Sequence, residues 1–345
     1  MNSNNSINGT VLKPAAGVEL LGVGTFLPDK RITNADLERK MDTSDEWIRQ
    51  RTGISERRQA DRDKGENSAF MATHAARAAL EDAGIPATDL DMVSCATMSP
   101  DTATPAVANF ATHALGAGQI AGFDLNAACS GFVYTLNTAY AMIRTGVART
   151  VAVIGVDALT RHCDYSTYGR GASILFGDAA GAVILRATDD ASKGVIAQAM
   201  HSDGSGAAML YVPSHKADFP TPDDYDERKV SRVQMNGQQV FRFAVSHFPM
   251  VIEETLELAG MQATDIDHYV CHQSNKRILD AARDRFGLDP QRMHTNIDRV
   301  GNTVSASIPL VLRELKDAGR VEPGQRIMFI AFGAGLTWAS SLWQI

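Results

Sequence analysis

Apolar residues in this chain come as short solid runs divided by glycine and polar loops, the pattern of strands buried on both faces alternating with helices. Val18 to Gly24 predicts a first strand ending in glycine punctuation. Thr43-Ser44-Asp45-Glu46 has capping-box spacing and opens a short helix carrying Trp47 and Arg51 on one face. Asn67 to Ala83 predicts a longer helix, Phe123 to Leu125 a short strand, and His268 to Cys271 another. Phe132 to Thr145 is almost free of charge and is closed by Gly146, so it predicts a buried helix. His215 to Lys229, rich in Pro and Asp, predicts a surface loop.

These elements occur twice. Leu80 to Asp91 is echoed by Leu256 to Asp267, an offset of 176 residues that also sets Cys95 against Cys271 and Thr150 to Gly155 against Arg326 to Ala331. With a shift of 173, Phe123 to Leu136 lies opposite Asn296 to Pro309, and Cys129 falls opposite Asn302. A period this long is two copies of one βαβ-rich half rather than a solenoid. The expected organisation is a flexible tail (1–17) and two halves (18–190 and 191–345). Mixed sheets covered on both faces by helices follow from the pattern.

Duplication matters because of Asn126 to Phe132. Here Cys129 sits between a predicted strand and a helix N-terminus, where free N–H groups and the helix dipole favour the nucleophilic thiolate. Small neighbours leave room for a substrate carbonyl. A buried structural thiol is the alternative. Pseudo-two-fold packing brings the Cys129 and Asn302 elbows together, and His272 follows a strand end, where α/β folds place functional groups. Thiol, imidazole and amide together suit acyl transfer followed by carbanion chemistry.

Composition narrows the class. The chain has 345 residues, 44% hydrophobic and 21% charged, with a net charge of −7 that argues against nucleic acid and anionic membrane surfaces. Its four cysteines are too scattered for a zinc site or disulfide framework, so a reducing cytoplasm fits. Met1 to Thr10 is polar and lacks the regions of a signal peptide. No GxGxxG or GxxxxGK[ST] motif supports a dinucleotide or P-loop reading.

Seven stretches together resemble the β-ketoacyl-acyl carrier protein synthase III family of the thiolase-like superfamily, from about Val18 to Ile345. They are Asp42 to Ile48, Arg51 to Ile54, Ala127 to Phe132, Phe176 to Asp178, His272 to Asn275, Gly301 to Thr303 and Phe332 to Trp338. The resemblance implies a duplicated α-β-α-β-α layered fold with two mixed five-stranded sheets and a Cys129–His272–Asn302 triad. Neutral His272 and Asn302 donate to a thioester carbonyl in that scheme. The amides of Cys129 and Ala334 form the oxyanion hole, with Ala334 standing where the family commonly has Gly, and Phe332 packs beside the site. Coenzyme A is expected on Trp47 and Arg170 (adenine), Arg51 (phosphates) and Asn275 (pantetheine). Gln238 replaces an Asn often found there.

The same resemblance implies acyl-CoA and malonyl-acyl carrier protein as substrates, no cofactor, and a homodimer. Arg242, Lys276, Arg277, Arg283 and Arg285 are the candidates for carrier-protein docking, the last four in a stretch also holding Asp280 and Asp284. Acetyl-selective members place Phe before the residue equivalent to Pro105. Here it is Thr104, which implies room for longer starters. An acyltransferase of the same fold acting on an oxygen or nitrogen nucleophile, and an inactive structural subunit, remain alternatives at this point.

Overall fold

The computed structural model describes residues 13–345. Most of the expected tail lies outside the described residues, and Gly17 already belongs to the first strand, Gly17–Phe26. That strand runs past the expected glycine stop. Gly22 and Gly24 lie inside it because a helix packs directly on them: a Cβ at Gly24 would fall 2.1 Å from the Ala79 nitrogen.

Five strands form the first sheet, in the order Gly17–Phe26, Ala179–Thr188, Thr150–Asp157, Met92–Ala96, Ala121–Leu125. Met92–Ala96 is parallel to both its neighbours, and the remaining pairs are antiparallel. The second sheet has the order His268–Cys271, Arg326–Gly333, Thr337–Gln344, Gly194–Ser202. It is also mixed, with its first pair parallel.

The expected second five-stranded sheet therefore has four strands among the described residues. What should be its edge strand lies near Met293 to Asn296 and meets a side chain in place of a ladder. The Gln273 amide accepts from Asn296 N at 3.2 Å and donates to His294 O at 3.4 Å.

Two helices, Gly131–Arg144 and Ser307–Asp317, lie between the sheets. Phe132, Leu136 and Ile143 from one and Ile308, Val311 and Leu315 from the other share a core with Val153, Leu185, Ile327 and Phe329. Each sheet has helices on its outer face as well: Ser68–Ala83 and Val107–Leu115 on the first, Gly237–Ala259 and Lys276–Arg285 on the second. Strands covered on both sides have no reason to alternate, and Thr150–Asp157 is buried at every position. The result is five layers, α-β-α-β-α. No helix among the described residues is long and apolar enough to cross a membrane.

Candidate active site

The first elbow follows the strand Ala121–Leu125. Ala128 takes a φ of 47°, uncommon for a residue with a Cβ. Its amide donates to Asn126 Oδ1 at 3.1 Å, and one 3-10 turn, Ala128–Ser130, carries Cys129 into the central helix. Cys129 is buried among Leu159, Phe176 and Val304. Burial pushes its thiol up to about 12, the Asp157 carboxylate pushes the same way, and only its own backbone amide opposes them. The expected stabilised thiolate is thus corrected: the elbow is present, but apolar walls outweigh the helix end, and the resting group is the thiol.

The second elbow repeats the turn and the cap of the first. Val304 has a φ of 53°, its amide donates to Asn302 Oδ1 at 2.9 Å, and a 3-10 turn Val304–Ala306 leads into Ser307–Asp317. Asn302 therefore matches Asn126, and Cys129 matches Ser305, both at the 176-residue offset that relates the other echoes. The shift of 173 read from the sequence is overturned here, because the turn geometry and the asparagine caps align only at 176. The two elbows still meet. Asn302 is threaded into the first half, its N donating to Leu175 O at 2.8 Å and its O accepting from Gly177 N at 2.9 Å. With Oδ1 committed to Val304, its amide NH2 is left for other acceptors.

His272 follows the strand His268–Cys271 and is fully buried, its N bonded to Ile330 O at 2.8 Å. Burial pushes the ring down to about 3, with the Val304 backbone opposing, so it is neutral. Nδ1 lies 2.7 Å from Ser307 Oγ, and Nε2 has no hydrogen-bond partner among the described residues. Phe332 packs edge-on against the ring at 5.6 Å.

The loop after Arg326–Gly333 closes on Cys129. A Cβ at Gly333 would sit 2.8 Å from Cys129 N and 3.0 Å from its Cβ, so only glycine allows this approach. Thr337 Oγ1 ties the loop down, lying 3.1 Å from both Ala127 O and Ala334 O. Gly333→Ala must displace the Cys129 amide, and single-turnover acylation is expected to fall on the order of 100-fold while the protein still folds.

Cys129, His272 and Asn302 line one cavity of about 540 Å³, together with Trp47, Arg51, Asn275, Arg277, Phe332 and Gln238. A separate chamber of about 30 Å³ lies behind Cys129, lined by Met98, Leu159, Phe176, Leu210, Val233 and Ala334 among others. Trp47 stands on the helix Asp45–Thr52, whose cap is Ser44 rather than Thr43. Arg51 and Arg170 stack on the indole at 4.6 Å and 4.9 Å, so the Trp47–Arg170 gap is closed to a purine ring as it stands. Asn275 uses both ends of its amide within the protein, capping Arg277 N at 3.0 Å and donating to Arg51 O at 2.9 Å.

Thr104 is exposed and lines neither cavity of the single chain. Lys276 pairs with Asp280 at 2.6 Å, Arg283 with Asp280 at 2.9 Å, and Arg285 with Glu253 at 2.7 Å. Arg242 and Arg277 make no ion pair among the described residues.

Sequence reasoning missed Asp157. This fully buried carboxylate accepts from Met98 N at 2.9 Å, Ser99 Oγ at 2.8 Å and Ser305 N at 3.2 Å, and so pins the small chamber's wall to the second elbow. Its burial raises its pKa against these hydrogen bonds. The signal was an acid closing the otherwise uncharged strand Thr150–Asp157.

Two copies of one half, with a thiol elbow facing an amide elbow beside a neutral imidazole, define a thiolase-like condensing enzyme. Models of 3-oxoacyl-acyl-carrier-protein (ACP) synthase III and of its C terminal match residues 123–204 and 256–345. The chain belongs to the β-ketoacyl-acyl carrier protein synthase III family. Over 323 residues it is 42% identical to β-ketoacyl-acyl-carrier-protein synthase III 1 of Bacillus anthracis, spanning 94% of this chain and 97% of that one. The crystal structure of 3-oxoacyl-acyl-carrier-protein synthase III from Aquifex aeolicus VF5 matches with a TM-score of 0.87 at 36% identity, covering 95% of this chain and 100% of the other. The priming β-ketosynthase from the R1128 polyketide biosynthetic pathway matches with a TM-score of 0.88 at 34% identity, covering 98% and 99%.

Proposed function

We propose that the protein joins an acyl-CoA starter to malonyl-acyl carrier protein by decarboxylative Claisen condensation, through an acyl-Cys129 intermediate. The observation that carries this reading is the orientation of Asn302. An Oδ1 held by Val304 N at 2.9 Å turns the NH2 donor away, in a residue lining the same cavity as Cys129 and the unpartnered Nε2 of His272.

In the first half-reaction the Cys129 sulfur bonds to the starter's carbonyl carbon, and the carbon–sulfur bond to coenzyme A breaks. The thiol proton ends on the departing coenzyme A sulfur. The amides of Cys129 and Ala334 are the proposed donors to the tetrahedral oxygen. In the second half-reaction the malonyl thioester carbonyl accepts from His272 and Asn302. Carbon dioxide leaves, its bonding electrons form the enolate, and the enolate carbon attacks the acyl-cysteine. The Cys129 thiolate is expelled and takes one proton from the medium. These electrons come from the carboxylate, so the step requires no redox cofactor.

Trp47, Arg51, Arg170 and Asn275 are the proposed contacts for coenzyme A, with Arg170 moving off the indole to admit adenine. Arg242 and Arg277 are the better-placed candidates for an acidic carrier protein, since Lys276 and Arg285 already spend their charge on neighbouring acids. The working form is proposed to be a cytoplasmic homodimer, with Thr104 reaching the partner's starter pocket.

The test is a panel of acetyl-, hexanoyl- and dodecanoyl-CoA with malonyl-acyl carrier protein, products weighed by mass spectrometry. A 3-oxoacyl product on the carrier is expected, and its absence across the panel defeats the reading. Starter length is read from the same panel. Thr in place of Phe at 104 leaves space for added methylenes, each contributing about 0.8 kcal/mol when buried. Hexanoyl-CoA should be used alongside acetyl-CoA, and Thr104→Phe should shift kcat/KM back towards acetyl. A wild type confined to acetyl-CoA overturns the starter assignment alone.

A further inference from the structure

His272 is placed by the strand before it, yet its ring chemistry depends on one side chain from the other side of the second elbow. A neutral imidazole carries a single proton, and the partner of one nitrogen decides which nitrogen holds it. Among the described residues Nδ1 has one side-chain hydrogen-bond partner, Ser307 Oγ at 2.7 Å. Nε2 is buried and has no hydrogen-bond partner among the described residues. The donor role assigned to His272 in the proposed condensation, on which this inference rests, needs the proton on Nε2, so Nδ1 must accept.

Ser307 has one hydroxyl proton and two places to send it. Nδ1 is one, and Val304 O at 2.9 Å is the other. Val304 O already accepts the Ser307 backbone N–H that opens the central helix. The Val304 backbone also acts on the ring in favour of a ring N–H, so among the described residues Ser307 is the side-chain donor that can keep Nδ1 bare. We propose that Ser307 is a positioning residue that donates its hydroxyl to Nδ1 and thereby holds His272 as the Nε2–H tautomer. Two donors, Nε2–H and the Asn302 NH2, then serve one thioester carbonyl. No protonation of His272 is required at any point in the cycle, in keeping with a ring whose burial makes the imidazolium unfavourable.

Ser307 is itself completely buried at the start of Ser307–Asp317. Its hydroxyl is therefore fixed by the same elbow that aims Asn302. One loop sets both donors.

The resting wild-type protein gives the direct test. Two-bond nitrogen–proton NMR correlations with 15N-labelled histidine distinguish the tautomers, and the His272 signal is identified by its loss in His272→Gln. A protonated Nε2 and a bare Nδ1 are expected. A protonated Nδ1 overturns the proposal, whatever any variant does. In Ser307→Ala the Nε2–H preference should be lost. Decarboxylation of malonyl thioester should fall on the order of 10- to 100-fold, while self-acylation by acyl-CoA holds. Ser307→Thr, which keeps the hydroxyl, should restore both the tautomer and the rate. A purely structural role for Ser307 would slow both half-reactions and leave the tautomer unchanged, and that result also overturns it. A wild type that forms no acyl adduct defeats the condensation reading instead, and the tautomer of the resting protein still decides the role of Ser307.

Discussion

Incubated with a short acyl-CoA, the protein should gain the mass of one acyl group, and Cys129→Ala should gain none. Four cysteines are present, all buried, so burial alone does not select one. Burial also pushes Cys95, Cys163 and Cys271 up. What separates Cys129 is placement: it lines the large cavity and lies against the Gly333 loop. Condensation in Cys129→Ala should drop to background, the largest effect expected of any substitution here. The raised thiol adds a pH signature. With the thiol at about 12, each pH unit between 6 and 9 should raise the thiolate fraction, and alkylation of Cys129 by iodoacetamide, about tenfold. A rate already flat by pH 7 would show a depressed thiol and contradict the burial argument. An adduct surviving in Cys129→Ala would remove Cys129 from the mechanism.

The second large effect is expected from Asn302→Ala, and it should fall on one half-reaction only. Its NH2 is assigned to the malonyl carbonyl and not to the starter, so self-acylation should persist near the wild-type rate. Removing one donor to a developing oxyanion in a dry site costs on the order of 100- to 1,000-fold. Carbon dioxide release from malonyl thioester should slow by that factor. Loss of the Val304 cap in the same variant is the competing effect, since it loosens the elbow. Asn302→Asp separates the two: it keeps an oxygen for Val304 N but loses the NH2, and it should decarboxylate as poorly as Ala. Equal slowing of acylation and decarboxylation would make Asn302 a structural residue.

The sequence made the layers legible because strands buried on both faces leave solid apolar runs and central helices leave charge-free ones. Thr150 to Gly155 and Phe132 to Thr145 could be recognised for that reason. The missing fifth strand could not, because it turns on Gln273 offering its side-chain amide to Asn296 and His294, which no periodicity records. Gathering Cys129, His272 and Asn302 was legible through the duplication, although the register at the elbow was misread by three residues. Similarity of residue types favoured 173, whereas positive φ at Ala128 and Val304 is a backbone property that alanine and valine do not advertise. The charge state of Cys129 was misread for a related reason. A helix N-terminus can be inferred locally, but the apolar walls that outweigh it come from Leu159, Phe176 and Val304, scattered along the chain.

The asparagine caps carry a consequence for how such a site can arise. Asn126 and Asn302 hold the same turn in the same way, so a half-length ancestor paired with its own copy would have presented identical elbows across a groove. Such a symmetric pair offers the same group twice, whereas condensation asks for a nucleophile on one side and a hydrogen-bond donor on the other. In one chain Cys129 and its mate Ser305 are free to be different residues while each asparagine holds its turn. The division of labour lies in Cys129 and Asn302 lining one cavity, two different groups held by a turn written twice.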